Sequence, residues 1–474
     1  MIGKAFIMNQ EPTGGVYDVA VIGGGSAGYA AARTVAAGGL KAVVIEGGRE
    51  VGGLCILRGC MPTKALLWAA EVLHTAQKSG VWGLRPGTIG FDIDAIMQRK
   101  DALIREFADY RKQQLEAGRF EFIRARARFL DPHTLALDNG QTLRARHFVI
   151  ATGSKTSVPP LPGLTETQFI TSDEALHLRR LPKSLIVLGG GAIAVEFAQF
   201  FARLGVQVRL IQRSSHLLRD FDTDAATVLR TAFEREGIQI ATDTRLVRAF
   251  RNGDQKAIEF DHAGRRQIWE ADEILLALGR SPETEALRLE AAGVASENGR
   301  IVTTDRMQTS QPHIYAAGDC VGRHEIVHVA IQQAEIAGHN ILHAASPKHF
   351  DSRLLISVVF TEPQVAQVGL TEKAAAVEGI EMRSASYPFN DHGKSLIMDA
   401  KDGFVKLSVN PKTGEILGGS CVGPSAGELI HEIVVAMHQR MTARTLASVP
   451  HYHPTLAEIW TYPAEDLADA GPQG

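Results

Sequence analysis

An α/β chain is expected, with two nucleotide-type βαβ units followed by a C-terminal α+β part, and three observations predict it. First, an apolar strand over 18–22 runs into Gly23-Gly24-Gly25-Ser26-Ala27-Gly28, an alanine-rich helix over 29–37 and a strand over 41–45. Second, the unit recurs: a strand over 183–188, the turn Gly189-Gly190-Gly191-Ala192-Ile193-Ala194, a helix over 195–204 and a strand over 206–211. Third, the glycine fingerprint is absent from about residue 348, where strands (356–360, 404–409, 416–422) and an amphipathic helix (428–440) follow. A repeated strand–turn–helix–strand unit marks dinucleotide-binding domains. The expected fold is therefore two Rossmann-like nucleotide-binding domains plus an α+β domain.

Each glycine of the first unit has a physical task. Gly23 makes the tight turn, Gly25 lets the backbone approach a pyrophosphate, and Gly28 permits close helix–strand packing. The helix N-terminus faces the phosphates, and Glu46, 18 residues after Gly28, can accept hydrogen bonds from a ribose.

Residues 52–64 then read Gly-Gly-Leu-Cys-Ile-Leu-Arg-Gly-Cys-Met-Pro-Thr-Lys and run into a helix-like stretch over 65–70. A disulfide needs Cα atoms within roughly 7 Å, whereas five residues of regular helix rise about 7.5 Å. A bond between Cys55 and Cys60 therefore requires irregular winding, which Gly59 makes possible. Pro62 suits a first helical turn, which puts Cys60 near a helix N-terminus, where a thiolate is stabilised. A reactive pair is the favoured reading; on spacing alone, inert buried thiols or half a metal site stay open.

Further along, strands closing on glycine are expected at 147–153, ending in Thr152-Gly153, and at 273–279, followed by Arg280. Pro159-Pro160-Leu161-Pro162 reads as a linker, and a strand from 313 ends in Gly318-Asp319, where a carboxylate could bind a polyol. The second unit departs from the first at two points: Ala194 replaces the third glycine, and its last strand ends on Gln212-Arg213, with Arg219 beyond. An acid there would bind a free ribose 2′-hydroxyl, whereas arginine accommodates a 2′-phosphate. NADPH is thus preferred to NADH, the alternative being plain surface arginines.

The 474 residues suit about three domains. A formal net charge of −3 gives no reason to expect nucleic acid or an anionic membrane as partner. Four cysteines in so long a chain do not form a disulfide framework and fit a reducing compartment. No apolar run has transmembrane length, and residues 1–15 lack a long apolar segment, so they read as a loose extension. The cytoplasm is the expected location, and no metal site is assigned.

Two nucleotide units, a Cys-x4-Cys segment after the first and a Gly-Asp strand, in this order, resemble the FAD-dependent pyridine nucleotide–disulfide oxidoreductases over about 17–467. That family includes glutathione reductase, dihydrolipoamide dehydrogenase and mercuric reductase. The resemblance implies that Gly23, Gly25, Gly28, Glu46 and Asp319 bind FAD, with Ser26, Gly53, Lys64, Thr152 and Gly153 completing that set. It implies that Gly189, Gly191, Ala194, Arg213, Arg219, Gly279 and Arg280 line the nicotinamide nucleotide site. Cys60 would lie against the flavin as the charge-transfer thiolate, and Cys55 would be the interchange thiol. Lys64 and Glu196 resemble the family's ion pair beside the flavin, although Thr63 stands where glutathione reductase has a further lysine. His453-Pro454-Thr455-Leu456-Ala457-Glu458 matches the family's acid–base histidine and its orienting glutamate, both supplied by the other subunit of a homodimer. Imidazole suits proton exchange with thiols near neutrality. His451 is then a bystander, and Cys320 and Cys421 are small buried hydrophobes.

The implied domains are 16–155 with 282–347 for FAD, 156–281 for NAD(P), and 348–474 for dimerisation. The expected activity passes electrons from NADPH through FAD and a Cys55–Cys60 disulfide to a small disulfide. Ser26, Arg33 and Tyr110 fall where glutathione reductase holds glutathione, yet Glu335 replaces a further substrate-binding arginine. The rivals are an NAD-linked dihydrolipoamide dehydrogenase, a mercuric or quinone reductase and, from another class, a thiol redox or metal-binding module. Residues 358–366 and 212–214 resemble mercuric reductase, but the chain ends without a vicinal cysteine pair and keeps the histidine–glutamate dyad.

Overall fold

The computed structural model describes residues 16–322 and 324–469; the expected extension at 1–15 lies outside them. The described residues form two compact units, one within 16–62, 101–157 and 280–351, the other within 63–100, 158–279 and 352–469. This differs from the threefold division, because the second and third expected parts and residues 63–100 share one core. Leu66, Leu67, Ala70 and Leu73 pack there with Phe197, Phe200, Phe201, Val359, Val365 and Val422.

In the first unit, β1 (Tyr17–Ile22), α1 (Ser26–Ala37) and β2 (Ala42–Glu46) form the expected βαβ turn. β1 pairs in parallel with β2 on one side and with the strand Thr142–Ile150 on the other, which also pairs with Ile314–Ala316. Alternate residues of β1 serve opposite faces: Ala20 and Ile22 join one core, Val19 and Val21 the other. A parallel sheet buried on both faces needs such continuous apolar strands. The register aligns Ile22 with Ile45 and Ile150, and Ile150 with Ala316. Gly23, Glu46, Thr152 and Asp319 consequently emerge at one carboxyl edge, where open α/β sheets bind ligands. The strand expected to run through 153 stops at Ile150, since Gly153 has φ +75° and leaves the extended path.

In the second unit, a four-stranded parallel sheet repeats the device, Leu188 aligning with Ile211 and Leu276. A three-stranded antiparallel sheet and a five-stranded antiparallel sheet complete it, the latter packed under the helix Ala426–His438. That helix ends before the expected residue 440, where Arg440 turns left-handed at φ +52°. Two long helices, Ile93–Glu116 and Val327–Leu342, have no counterpart in the sequence reading. Among the described residues, no helix is long and apolar enough to cross a membrane.

Candidate active site

The first glycine turn is built by contact. A Cβ on Gly28 would lie 1.8 Å from Gly23 O, and one on Gly23, at φ +108°, would lie 2.3 Å from Ala151 O. Gly53 faces Gly25 so closely that its Cβ would come within 2.6 Å of Gly25 Cα. Ser26 opens α1 beside them. Glu46 sits over the turn, accepting from Gly24 N–H at 2.7 Å and Gly48 N–H at 2.5 Å. Across the edge, Ser154 Oγ donates to Asp319 Oδ2 at 2.6 Å. Thr152 Oγ1 is buried with no hydrogen-bond partner among the described residues. An orphaned buried hydroxyl beside a backbone cradle fits a bound dinucleotide, whose polar groups would satisfy it.

The thiol segment folds as the chain geometry demands. Cys55 lies in α2 (Gly53–Leu57), which ends with Arg58 N–H donating to Leu54 O at 2.9 Å. Gly59 then passes so close that a Cβ would meet Leu54 O at 3.0 Å and Cys55 Cα at 3.3 Å. Its smallness, with no positive φ, permits the irregular winding. Cys60 opens α3 (Cys60–Lys78), so its sulfur stands at the positive end of a 19-residue helix. Both thiols are half-buried. Cys320 and Cys421 are fully buried, and burial pushes the Cys320 thiol up to about 11, as inert sulfurs require.

The second glycine turn shares the first one's plan with different chemistry. Gly189 has φ +116° and would place a Cβ 2.3 Å from Ala277 O, while the space around Gly191 is open. Ala194 is fully buried, so this turn has room for the methyl that Gly28 excludes. Gln212 lies over Gly190 as Glu46 lies over Gly24, with a neutral amide in place of the carboxylate. Arg213 is exposed and in no ion pair among the described residues; Arg219 is exposed and donates to Asp220 at 3.3 Å. Arg280 begins the part of the chain that belongs to the first unit. It donates to Ser154 Oγ at 2.8 Å and Ser154 O at 2.7 Å, joining the Asp319 cluster, whereas Gly279, at φ +110°, follows the strand Glu273–Leu276.

Lys64 and Glu196 meet as expected, Nζ lying 2.8 and 2.9 Å from the two carboxylate oxygens. Phe360 N–H donates to Glu196 at 3.0 Å, and the Phe360 ring lies 4.7 Å below the ammonium. The dyad also forms: His453 Nδ1 is 3.0 Å from Glu458 Oε2, and its side chain is 78 % exposed. His451 belongs to Glu432 instead, at 2.7 Å. Burial opposes charging of that ring, but the hydrogen bonds to Glu432 and to the Val449 carbonyl, with the nearby carboxylate charges, together outweigh it and raise its pKa.

Of the positions likened to a glutathione site, Arg33 is held by Glu335 at 2.6 Å, and Tyr110 is exposed. The structure adds Arg111, whose guanidinium lies 4.5 Å from the Tyr29 ring, with Nε and Nη1 buried and without a hydrogen-bond partner among the described residues. Burial lowers its pKa, while Tyr29 and Cys55 act in the opposite sense. Its adjacency to Tyr110 was the only sequence signal for it.

Residues 17–334 match the family model for pyridine nucleotide-disulphide oxidoreductases, and 355–464 match that family's dimerisation domain. A dihydrolipoyl dehydrogenase of Thermus scotoductus is 37% identical over 95% of this chain and 97% of its own length. A mercuric reductase of Staphylococcus aureus is 34% identical over 94% and 81%. Among solved structures, the HOCl-induced flavoprotein disulfide reductase RclA from Escherichia coli superposes with a TM-score of 0.83, at 28% identity over 95% of this chain and 99% of that one. LpdA from Mycobacterium tuberculosis gives 0.86 at 26% identity, over 95% and 100%. With a nucleotide cradle, a thiol pair and a histidine–glutamate dyad on the same chain as these matches, the protein belongs to the pyridine nucleotide-disulphide oxidoreductase family.

Proposed function

We propose that the chain is an NADPH-dependent flavoprotein disulfide reductase acting on a small disulfide as a homodimer. The observation that carries this is Cys60 at the N-terminus of α3, with Cys55 wound back beside Gly59 in the unit that holds the glycine cradle. FAD is the cofactor the family supports. Gly23, Gly25, Gly28, Glu46, Thr152 and Asp319 would hold it, and it supplies two-electron transfer from the nicotinamide. The chain's own residues do the thiol chemistry. Cys55 thiolate attacks one sulfur of the substrate disulfide and expels a thiolate, which His453 protonates. Cys60 thiolate then attacks Cys55 sulfur, releasing the second substrate thiol and leaving the Cys55–Cys60 disulfide. Glu458 holds the imidazole and supports its charge, and the exposed ring suits service to a partner subunit's thiols.

The preference for NADPH rests on Gln212, which puts no negative charge beside a 2′-phosphate, and on the exposed Arg213, which is in no ion pair among the described residues. A second reading, an NAD-linked dihydrolipoamide dehydrogenase, is favoured by the Arg33–Glu335 pair, which neutralises a cation that glutathione carboxylates would use. NADPH and NADH oxidation measured with glutathione disulfide, lipoamide, Hg²⁺ and a quinone separates these. Rapid NADPH-linked turnover of one disulfide is expected; NADH-linked lipoamide turnover selects the second reading, and turnover only with Hg²⁺ or quinone overturns both.

A further inference from the structure

Glu458 carries a second imidazole. His453 Nδ1 occupies Oε2 at 3.0 Å, and His392 Nε2 stands 3.5 Å from Oε1. The two rings have opposite surroundings, since His453 is largely exposed and His392 is 0 % exposed. The other nitrogen of His392 is also fixed: Nδ1 lies 2.8 Å from Oγ of the buried Ser395. Electrostatics then selects the tautomer. If the Ser395 hydroxyl donates to Nδ1, the ring proton sits on Nε2 and points at a carboxylate oxygen; the alternative sets a lone pair against an anion. Nε2 has no hydrogen-bond partner among the described residues, and its 3.5 Å approach to Oε1 is a charge contact, so withdrawing the carboxylate would leave this buried polar group with nothing to face.

The groups around His392 are few. Phe389 and Tyr462 present their rings edge-on at 6.3 and 6.5 Å. The charged neighbours are Glu458 and His453, while Tyr387 and Asp391 are hydrogen-bonded to each other. Burial lowers the pKa of His392, and Glu458 opposes that. Without His392, the Oε1 side of Glu458 is held only by Thr455 N–H at 3.3 Å.

We propose that His392 is a positioning residue for the dyad: its buried Nε2 faces one oxygen of Glu458 and biases the carboxylate so that the other oxygen meets His453 Nδ1. This rests on the disulfide-reductase reading. In H392L the donor is lost, and in H392Q the amide nitrogen reaches the place of the imidazole Nε2. H392L is expected to lower kcat for disulfide turnover about ten- to a hundredfold, the scale set by misplacing a catalytic group. Reduction of the bound flavin by nicotinamide nucleotide should not change, because it does not use the dyad. H392Q should recover most of the loss. NMR titration of His453 in the holoenzyme should move to lower pH in H392L and return in H392Q. Equal impairment of H392Q and H392L, or an unmoved His453 titration, would overturn the proposal. If the wild-type protein turns over no disulfide, the functional reading fails, and the titration still decides the role of His392.

Discussion

The Lys64–Glu196 pair is asymmetric, so its two halves should differ sharply when removed. Glu196 is 2 % exposed, whereas the Lys64 side chain is 32 % exposed. In K64M the carboxylate stays buried with Phe360 N–H as its remaining donor. An uncompensated buried charge of this kind costs about 3–5 kcal/mol. In E196Q the amide oxygen still accepts from Phe360 N–H, and the ammonium can turn to water while keeping the Phe360 ring beneath it. That loss should be about 1–2 kcal/mol, the scale of a lost charged hydrogen bond offset by solvation. In K64M/E196Q the stranded charge is gone, so the double variant should be more stable than K64M alone. Urea unfolding of the three holoenzymes, followed by release of flavin fluorescence, ranks them. Equal losses in the single variants, or a double variant less stable than K64M, would refute the reasoning.

Three other perturbations follow from the same geometry. G28A forces a methyl to within 1.8 Å of Gly23 O and should cost about 1–3 kcal/mol with loss of retained flavin, whereas A194G should cost less than about 1 kcal/mol, read by thermal melting and flavin content. Q212E/R213A should restore an acid over Gly190 and shift the NADPH-to-NADH ratio of kcat/KM about tenfold or more towards NADH, measured by steady-state kinetics. Glu362 is raised to about 6 by burial, with Glu71 adding to the effect. Its folded pKa therefore exceeds its unfolded one, and the stability it contributes below pH 4.5 is lost as pH rises through 6. E362Q should be more stable than wild type by about 2 kcal/mol at pH 8 and nearly equal at about pH 4. His74, lowered to about 4 by burial, slopes the other way, losing stability as pH falls below 6.5, and it cancels in this comparison.

The glycine turns were legible because their physics is local. Gly23, Gly28 and Gly189 sit where a Cβ meets backbone within a few residues or on the adjoining strand, and the flanking apolar runs announce the sheet. Gly59 and Pro62 favoured a reactive pair at Cys55 and Cys60 without settling it, whereas the separate roles of the two thiols, and Lys64, His453 and Glu458, were read only through resemblance. The contacts of Arg280 were not legible, because its strand pairs with Ser154–Thr156 across more than a hundred residues and so carries it to Asp319. The helix Ile93–Glu116 was invisible because only Met97, Lys100 and Leu115 are buried along it, too few for a periodic apolar stripe. His392 gave no signal, for a lone histidine before a five-residue helix becomes meaningful only when the fold brings Glu458 and Ser395 to its two nitrogens.

The central claim is that Cys55 and Cys60 exchange electrons between bound flavin and substrate. Anaerobic addition of NADPH to the oxidised holoenzyme, followed by iodoacetamide and peptide mass spectrometry, tests it most directly. Both cysteines should resist alkylation before reduction and accept it afterwards, and C55S should leave flavin reduction intact while abolishing disulfide turnover. Flavin that bleaches with neither cysteine changing its reactivity would contradict the account.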